Sequence, residues 1–91
     1  MGFIWETPEE IDRALAARLR SIRKRQGLTQ RQLSVKSNVS FGSIKRFETS
    51  GQISLLSLTK LAVALSCEDE MRSLFSSVPY RSIEEVLHER P

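Results

Sequence analysis

Leu28-Thr29-Gln30-Arg31-Gln32-Leu33, then Asn38-Val39-Ser40, then Ile44-Lys45-Arg46-Phe47-Glu48 decide the fold, because they set two short helices on either side of a tight turn. Thr29 and Gln32 have the Thr-x-x-Gln spacing in which each side chain caps the other's backbone N–H, and Leu28 and Leu33 supply apolar anchors. By Ser37-Asn38 the chain has reached a turn, and asparagine is the best non-glycine residue for a left-handed backbone position. Val39 then points inward. Ser40 caps a further helix running from Phe41 to about Glu48. Ile44 and Phe47, three residues apart, form its buried face, which leaves Phe41, Gly42, Lys45 and Arg46 largely outside.

Upstream, Thr7-Pro8-Glu9-Glu10 combines a capping threonine, a proline at the first helical position and a glutamate that completes a capping box. Ile11, Leu15, Leu19 and Ile22 predict one buried stripe, and Gly27 a left-handed stop. Downstream, Thr49-Ser50-Gly51-Gln52 reads as a loop. Ser54 caps a fourth helix whose buried side is Leu55, Leu58, Leu61, Ala62 and Leu65; with Lys60 its single charge, it is expected to be the most enclosed element. A fifth helix is expected over Glu68–Phe75, with Met71, Leu74 and Phe75 apolar and acids in its first turn. After Ser76-Ser77-Val78-Pro79, Ser82-Ile83-Glu84-Glu85 is a third capping box and opens a short helix with Ile83, Val86 and Leu87 on one side. No strand-like alternation and no internal repeat appears, so the chain is expected to be all-α. Residues 1–77 form one domain that includes an amino-terminal extension, and residues 78–91 form a tail.

The 91 residues suit one modest core with little room for a deep substrate cleft. No apolar run approaches the roughly 18 residues that cross a bilayer, and Met1–Glu6 lacks the pattern of a signal peptide, so a cytoplasmic location and no membrane partner are expected. Cys67 is alone, which excludes a disulfide framework and a thiolate zinc cluster. The acids that follow it, Glu68, Asp69 and Glu70, raise a thiol pKa and do not activate it. That cluster also lacks the alternating ligands and central glycine of a calcium loop. His88 is the only histidine. Neither a catalytic constellation nor a cofactor site is legible, and the chain is expected not to be an enzyme.

Charge is the more informative property. The formal net charge is +3, yet from Arg13 to Phe47 the chain carries ten bases and no acid, while the remainder holds four bases against eleven acids. A basic half joined to an acidic half suggests a polyanionic partner on one face, although an arginine-rich solvated helix face has the same composition. The paired helices favour the first reading. Two short helices about a tight turn, the second with a polar and basic outer face, make a helix-turn-helix. The major groove of duplex DNA, about 12 Å wide, admits one such helix while the preceding one crosses the backbone.

The quoted stretch resembles the lambda-repressor-like (XRE) helix-turn-helix family, and the five-helix pattern of residues 8–75 fits it. Ser43-Ile44-Lys45-Arg46-Phe47-Glu48 with Gly51-Gln52-Ile53-Ser54-Leu55 is similar to HipB-type antitoxins within it, which are usually encoded beside a HipA-like kinase toxin. The resemblance implies a DNA-binding transcriptional regulator, a repressor by expectation, reading an operator with Phe41–Glu48; the alternative is an antitoxin that binds a kinase-type toxin and autoregulates its operon. It implies base-reading roles for Ser40, Phe41, Gly42, Lys45 and Arg46, and phosphate contacts by Arg23, Thr29, Gln30, Arg31 and Ser43. It also implies a salt bridge between Arg23 and Glu48. Phe41 departs from the usual polar residue, and two readings stand: packing on a thymine methyl group, or folding inward beside Val39. Asn38 replaces a common glycine without losing the turn. A homodimer is expected, with the tail residues Val78, Tyr80, Ile83, Val86 and Leu87, or else Phe3-Ile4-Trp5, as its interface.

Overall fold

The computed structural model describes residues 5–77. Five helices follow one another: α1 (Pro8–Arg25), α2 (Gln30–Ser37), α3 (Phe41–Ser50), α4 (Leu55–Ala64) and α5 (Glu68–Arg72), with no strand among the described residues. The fold class is all-α. Most starts lie where the capping residues predict them. The Thr7–Glu10 and Thr29–Gln32 boxes are both closed, and Ser40 and Ser54 accept from the backbone N–H groups of Ser43 and Ser57. Such caps matter here because helices of eight or ten residues are marginal alone and rely on satisfied ends and tertiary packing.

The turns are equally well saturated. Asn38 is left-handed at φ 61°, as its residue type predicts. Around it the Ser37 hydroxyl accepts from the Val39 N–H, and the Ser34 hydroxyl donates to the Val39 carbonyl at 2.6 Å. The α2–α3 turn is thus tied down by two serines whose role the sequence pattern did not reveal. Gly27 (φ 73°) ends α1 in a Schellman pattern, with Gly27 N–H on the Lys24 carbonyl and Leu28 N–H on that of Arg23. Ser66 makes the same turn after α4 at φ 61° without glycine. Gly51, also left-handed, is needed for space as well: a Cβ there would sit 2.8 Å from the backbone of Asp12. The end of α3 therefore rests directly on the start of α1.

Leu33, Ile44, Phe47, Leu61 and Leu65 are fully buried at the centre, joined by Ala16, Leu19, Val39 and Ala64. Each large side chain enclosed this way stabilises the fold by about 1.5–3 kcal/mol. Four expectations are corrected. In α1 Leu19 is buried and Ile22 packs against the core, but Ile11 is half exposed, and Ala16 and Arg23 join the buried side. The first turn of α4 is not enclosed: Leu55 and Leu56 face outward, as does Val63. α5 stops at Arg72, and Phe75, left-handed and 85 % exposed, belongs to no helix face. α3 runs to Ser50, two residues beyond its expected end, with the Thr49 and Ser50 hydroxyls bonded back to carbonyls of its preceding turn. The expected helix at Ser82, the apolar tail residues and Phe3-Ile4 lie outside the described residues.

Arg23 is buried for a reason. Its Nε donates to Glu48 Oε2 and its Nη2 to Oε1, both at 2.8 Å, while Nη1 donates to the Leu28 carbonyl at 2.7 Å. The Arg23 side chain is 7 % exposed and that of Glu48 2 %. This is an enclosed two-point ion pair between α1 and α3, unlike the exposed pairs that contribute little. Burial pushes the Glu48 carboxyl up, but hydrogen bonds from Arg23 and Gln30 and the charges of Arg23 and Arg20 outweigh it, leaving the pKa below the ordinary glutamate value.

Glu48→Gln, which strands the buried guanidinium charge, is expected to lower folding stability by about 3 kcal/mol or more, measured by denaturant unfolding. Because the folded-state pKa is depressed, the carboxylate's contribution is complete above roughly pH 5 and is lost as pH falls through the folded value. The gap in unfolding midpoint between the wild-type chain and Glu48→Gln should therefore narrow below about pH 4. A gap that stays constant down to pH 2 would show that the ionised carboxylate does not stabilise the fold.

Candidate nucleic-acid interface

Between Asp12 and Glu68 the chain holds one acid, Glu48, and that acid is turned inward onto Arg23. Every other base in the same stretch is exposed: Arg13, Arg18, Arg20, Lys24, Arg25, Arg31, Lys36, Lys45, Arg46 and Lys60. Folding thus removes the only negative charge from this part of the surface and leaves the positive ones in solvent, which favours an anionic partner.

α3 owes its position to Ile44 and Phe47, buried at 0 and 1 %, which point its opposite side outward. Gly42, Lys45 and Arg46 are exposed there, and no atom lies within 4 Å of where a Gly42 side chain would begin. Ser40 and Ser43 meet at the amino end of the helix, the Ser40 hydroxyl donating to that of Ser43 at 2.8 Å. Beside Arg46 opens a groove of about 400 Å³ between α3 and the start of α4, lined by Ser43, Gln52, Ile53, Ser54 and Ser57.

At the start of α2, Thr29 caps the helix and Arg31 is exposed. The first N–H groups of such a helix have no intrahelical acceptor and favour negative charge nearby. Gln30 is half-buried, and its Nε2 donates to Glu48 Oε1 at 2.9 Å. It is therefore neither a loose solvated residue nor free to choose its direction. One amide N–H is engaged, which leaves the second N–H and the amide oxygen for another partner.

The structure groups Ser40, Gly42, Ser43, Lys45 and Arg46 on α3 and its cap, and Thr29, Gln30 and Arg31 on the cap and first turn of α2. It sets Arg23 apart. Only 6 % of Arg23 is exposed, and its guanidinium is held by Glu48 and the Leu28 carbonyl. Phe41 is half-buried, and the Arg31 guanidinium carbon lies 4.1 Å from its ring centroid, a contact that neither expectation included. Two further residues gave no signal in the sequence. Arg20 has Nε 3.8 Å from Glu48 Oε1 while half its side chain is exposed, and Gln26 Nε2 donates to the Leu65 carbonyl at 2.8 Å, joining the end of α1 to the end of α4.

Burial and the carboxylates of Glu70 and Glu68 push the Cys67 thiol up, away from thiolate reactivity. Among the described residues no cluster of three or more His, Cys, Asp or Glu side chains is placed to hold a metal ion, and no helix is long and apolar enough to cross a membrane.

A search of curated proteins and one of solved structures return no match. A helix-turn-helix family model matches residues 19–70, more than half of the chain, from the middle of α1 to the first residues of α5. With α2 and α3 set about the left-handed Asn38 turn inside that match, the chain belongs to the XRE-type helix-turn-helix family, a family of DNA-binding transcription regulators.

Proposed function

We propose that this chain is a sequence-specific repressor that binds operator DNA as a homodimer in the cytoplasm, with Phe41–Glu48 lying in the major groove. The observation that carries this reading is the surface from Arg13 to Cys67, where ten bases are exposed and the one acid is buried on Arg23. Phosphate neutralisation by such a surface supplies affinity irrespective of sequence. Specificity then comes from the outer side of α3. Arg46 pairs bidentately with guanine O6 and N7, Lys45 contacts guanine or phosphate, and Ser40 and Gly42 line the same approach. Thr29, Gln30, Arg31 and Ser43, at the amino ends of α2 and α3, take phosphates and fix the register. Repression follows from occupancy, since a helix seated over a promoter excludes other proteins.

The homodimer follows from discrimination. A single helix reads few base pairs, and each mismatch costs only about 1–3 kcal/mol, so one subunit selects poorly against a genome. Two subunits about a two-fold axis double the readout, with half-sites about 34–36 Å apart. The antitoxin reading, with a HipA-like kinase as partner, rests on the residues of Ser43–Glu48 and Gly51–Leu55 alone; no feature of the fold adds to it.

Affinity for duplex DNA should fall by orders of magnitude between roughly 50 and 200 mM salt if six or more phosphates are contacted. A flat salt response would remove the basic surface from the account. Arg46→Ala is expected to cost about 1–3 kcal/mol on the preferred site and to relax preference at one base position, whereas Gln30→Ala weakens all sequences about equally. Equal losses on specific and random DNA for Arg46→Ala would strike it from the base readers. Mass in solution, measured for the full chain and for a truncation lacking residues 78–91, tests the assembly. A dimer that survives the truncation and binds at full affinity excludes the tail as its interface.

A further inference from the structure

The seam between α2 and α3 joins two residues to which the family resemblance gives separate tasks. Arg31, in the first turn of α2, holds its guanidinium carbon 4.1 Å from the centroid of the Phe41 ring, the first residue of α3. That distance is a cation–π stack. The ring is half-buried and the arginine exposed, so the stack lies at the surface, on the side where both helices begin. One face of the ring is thus engaged by a side chain of the protein itself.

An exposed arginine samples many rotamers, and binding must freeze them. A flat ring beneath the guanidinium selects among those rotamers beforehand, while the planar N–H edge stays available. No carboxylate among the described residues lies within ion-pair distance of Arg31. Its neighbour Gln30 already spends an amide N–H on Glu48, so Arg31 is the side chain of this turn that keeps a full, oriented charge. The amino ends of α2 and α3 both favour an anion at this place.

We infer that Phe41 is a positioning residue, reading no base itself, and that it holds the Arg31 guanidinium edge outward against a DNA phosphate at the margin of the groove. This rests on the DNA-binding reading above. It assigns to an aromatic at the start of the recognition helix a task in affinity instead of one in sequence choice.

A double-mutant cycle tests it, with Arg31→Ala, Phe41→Leu and the pair compared on a mixed-sequence duplex across a salt series, and Phe41→Tyr as the rescue that keeps a ring. Thermal melting of each variant separates lost binding from lost folding. Phe41→Leu is expected to weaken binding about two- to five-fold, Phe41→Tyr to restore it, and Phe41→Leu to add nothing once Arg31 is alanine. Removing Arg31 should lower the salt slope by about 0.9, one phosphate's worth. Selection from a random duplex pool should return the same preferred bases for Phe41→Leu as for the wild-type chain. Equal losses from Phe41→Leu in both Arg31 backgrounds, a leucine as good as the ring, or a changed base preference would each overturn the inference. Absence of salt-sensitive duplex binding by the wild-type chain would instead bring down the DNA-binding reading, and this inference with it.

Discussion

One carboxylate organises this molecule. Glu48 receives two hydrogen bonds from Arg23 of α1 and one from Gln30 of α2, and lies near Arg20, while its own backbone belongs to α3. Three helices thus meet at one side chain that is 2 % exposed. A buried charge is tolerated only when paired and hydrogen-bonded, so the three elements must keep their mutual geometry for Glu48 to remain ionised inside. The same contact decides the surface. By drawing the single acid of a long basic stretch inward, it leaves α3 and the start of α2 without a negative charge facing out.

Helices as short as α2 and α3 make this constraint necessary. α2 buries only Leu33 and Ser37, and α3 only Ile44 and Phe47. Neither carries enough apolar surface to fix its orientation alone. The remaining precision is polar: reciprocal caps at Thr29 and Gln32, the Ser34 and Ser37 hydroxyls closing the turn at Val39, and Gly51 seating the end of α3 against Asp12. A reading helix must be held within a small angular tolerance to meet base edges, and satisfied hydrogen bonds provide that direction better than hydrophobic burial, which is non-directional.

What could be read from the sequence was mostly local. Caps at Thr7, Thr29, Ser40 and Ser54 and the left-handed Asn38 are properties of a few adjacent residues, and each lies where residue chemistry places it. Facing was less legible. The apolar stripe of α1 includes Ile11, which is half exposed, while Arg23 is turned inward onto Glu48, a residue 25 positions away that no local pattern pairs with it. Leu55 read as core because it is a leucine on the apolar side, although Leu61, Ala62 and Leu65 further along the helix claim the interior. The side-chain partners of the site were hidden for the same reason. Gln30 on Glu48 and Arg31 on Phe41 are contacts between elements, set by how the helices dock and by no spacing along the chain.

The central claim is that the outer side of α3 chooses a DNA sequence. Its most direct test is selection of bound duplexes from a random pool by the full wild-type chain, followed by sequencing of the survivors. The account predicts enrichment of a two-fold motif whose half-sites lie one helical turn apart and contain a guanine at a fixed position. A bound pool as random as the input would contradict it, leaving a basic surface that holds DNA without reading it.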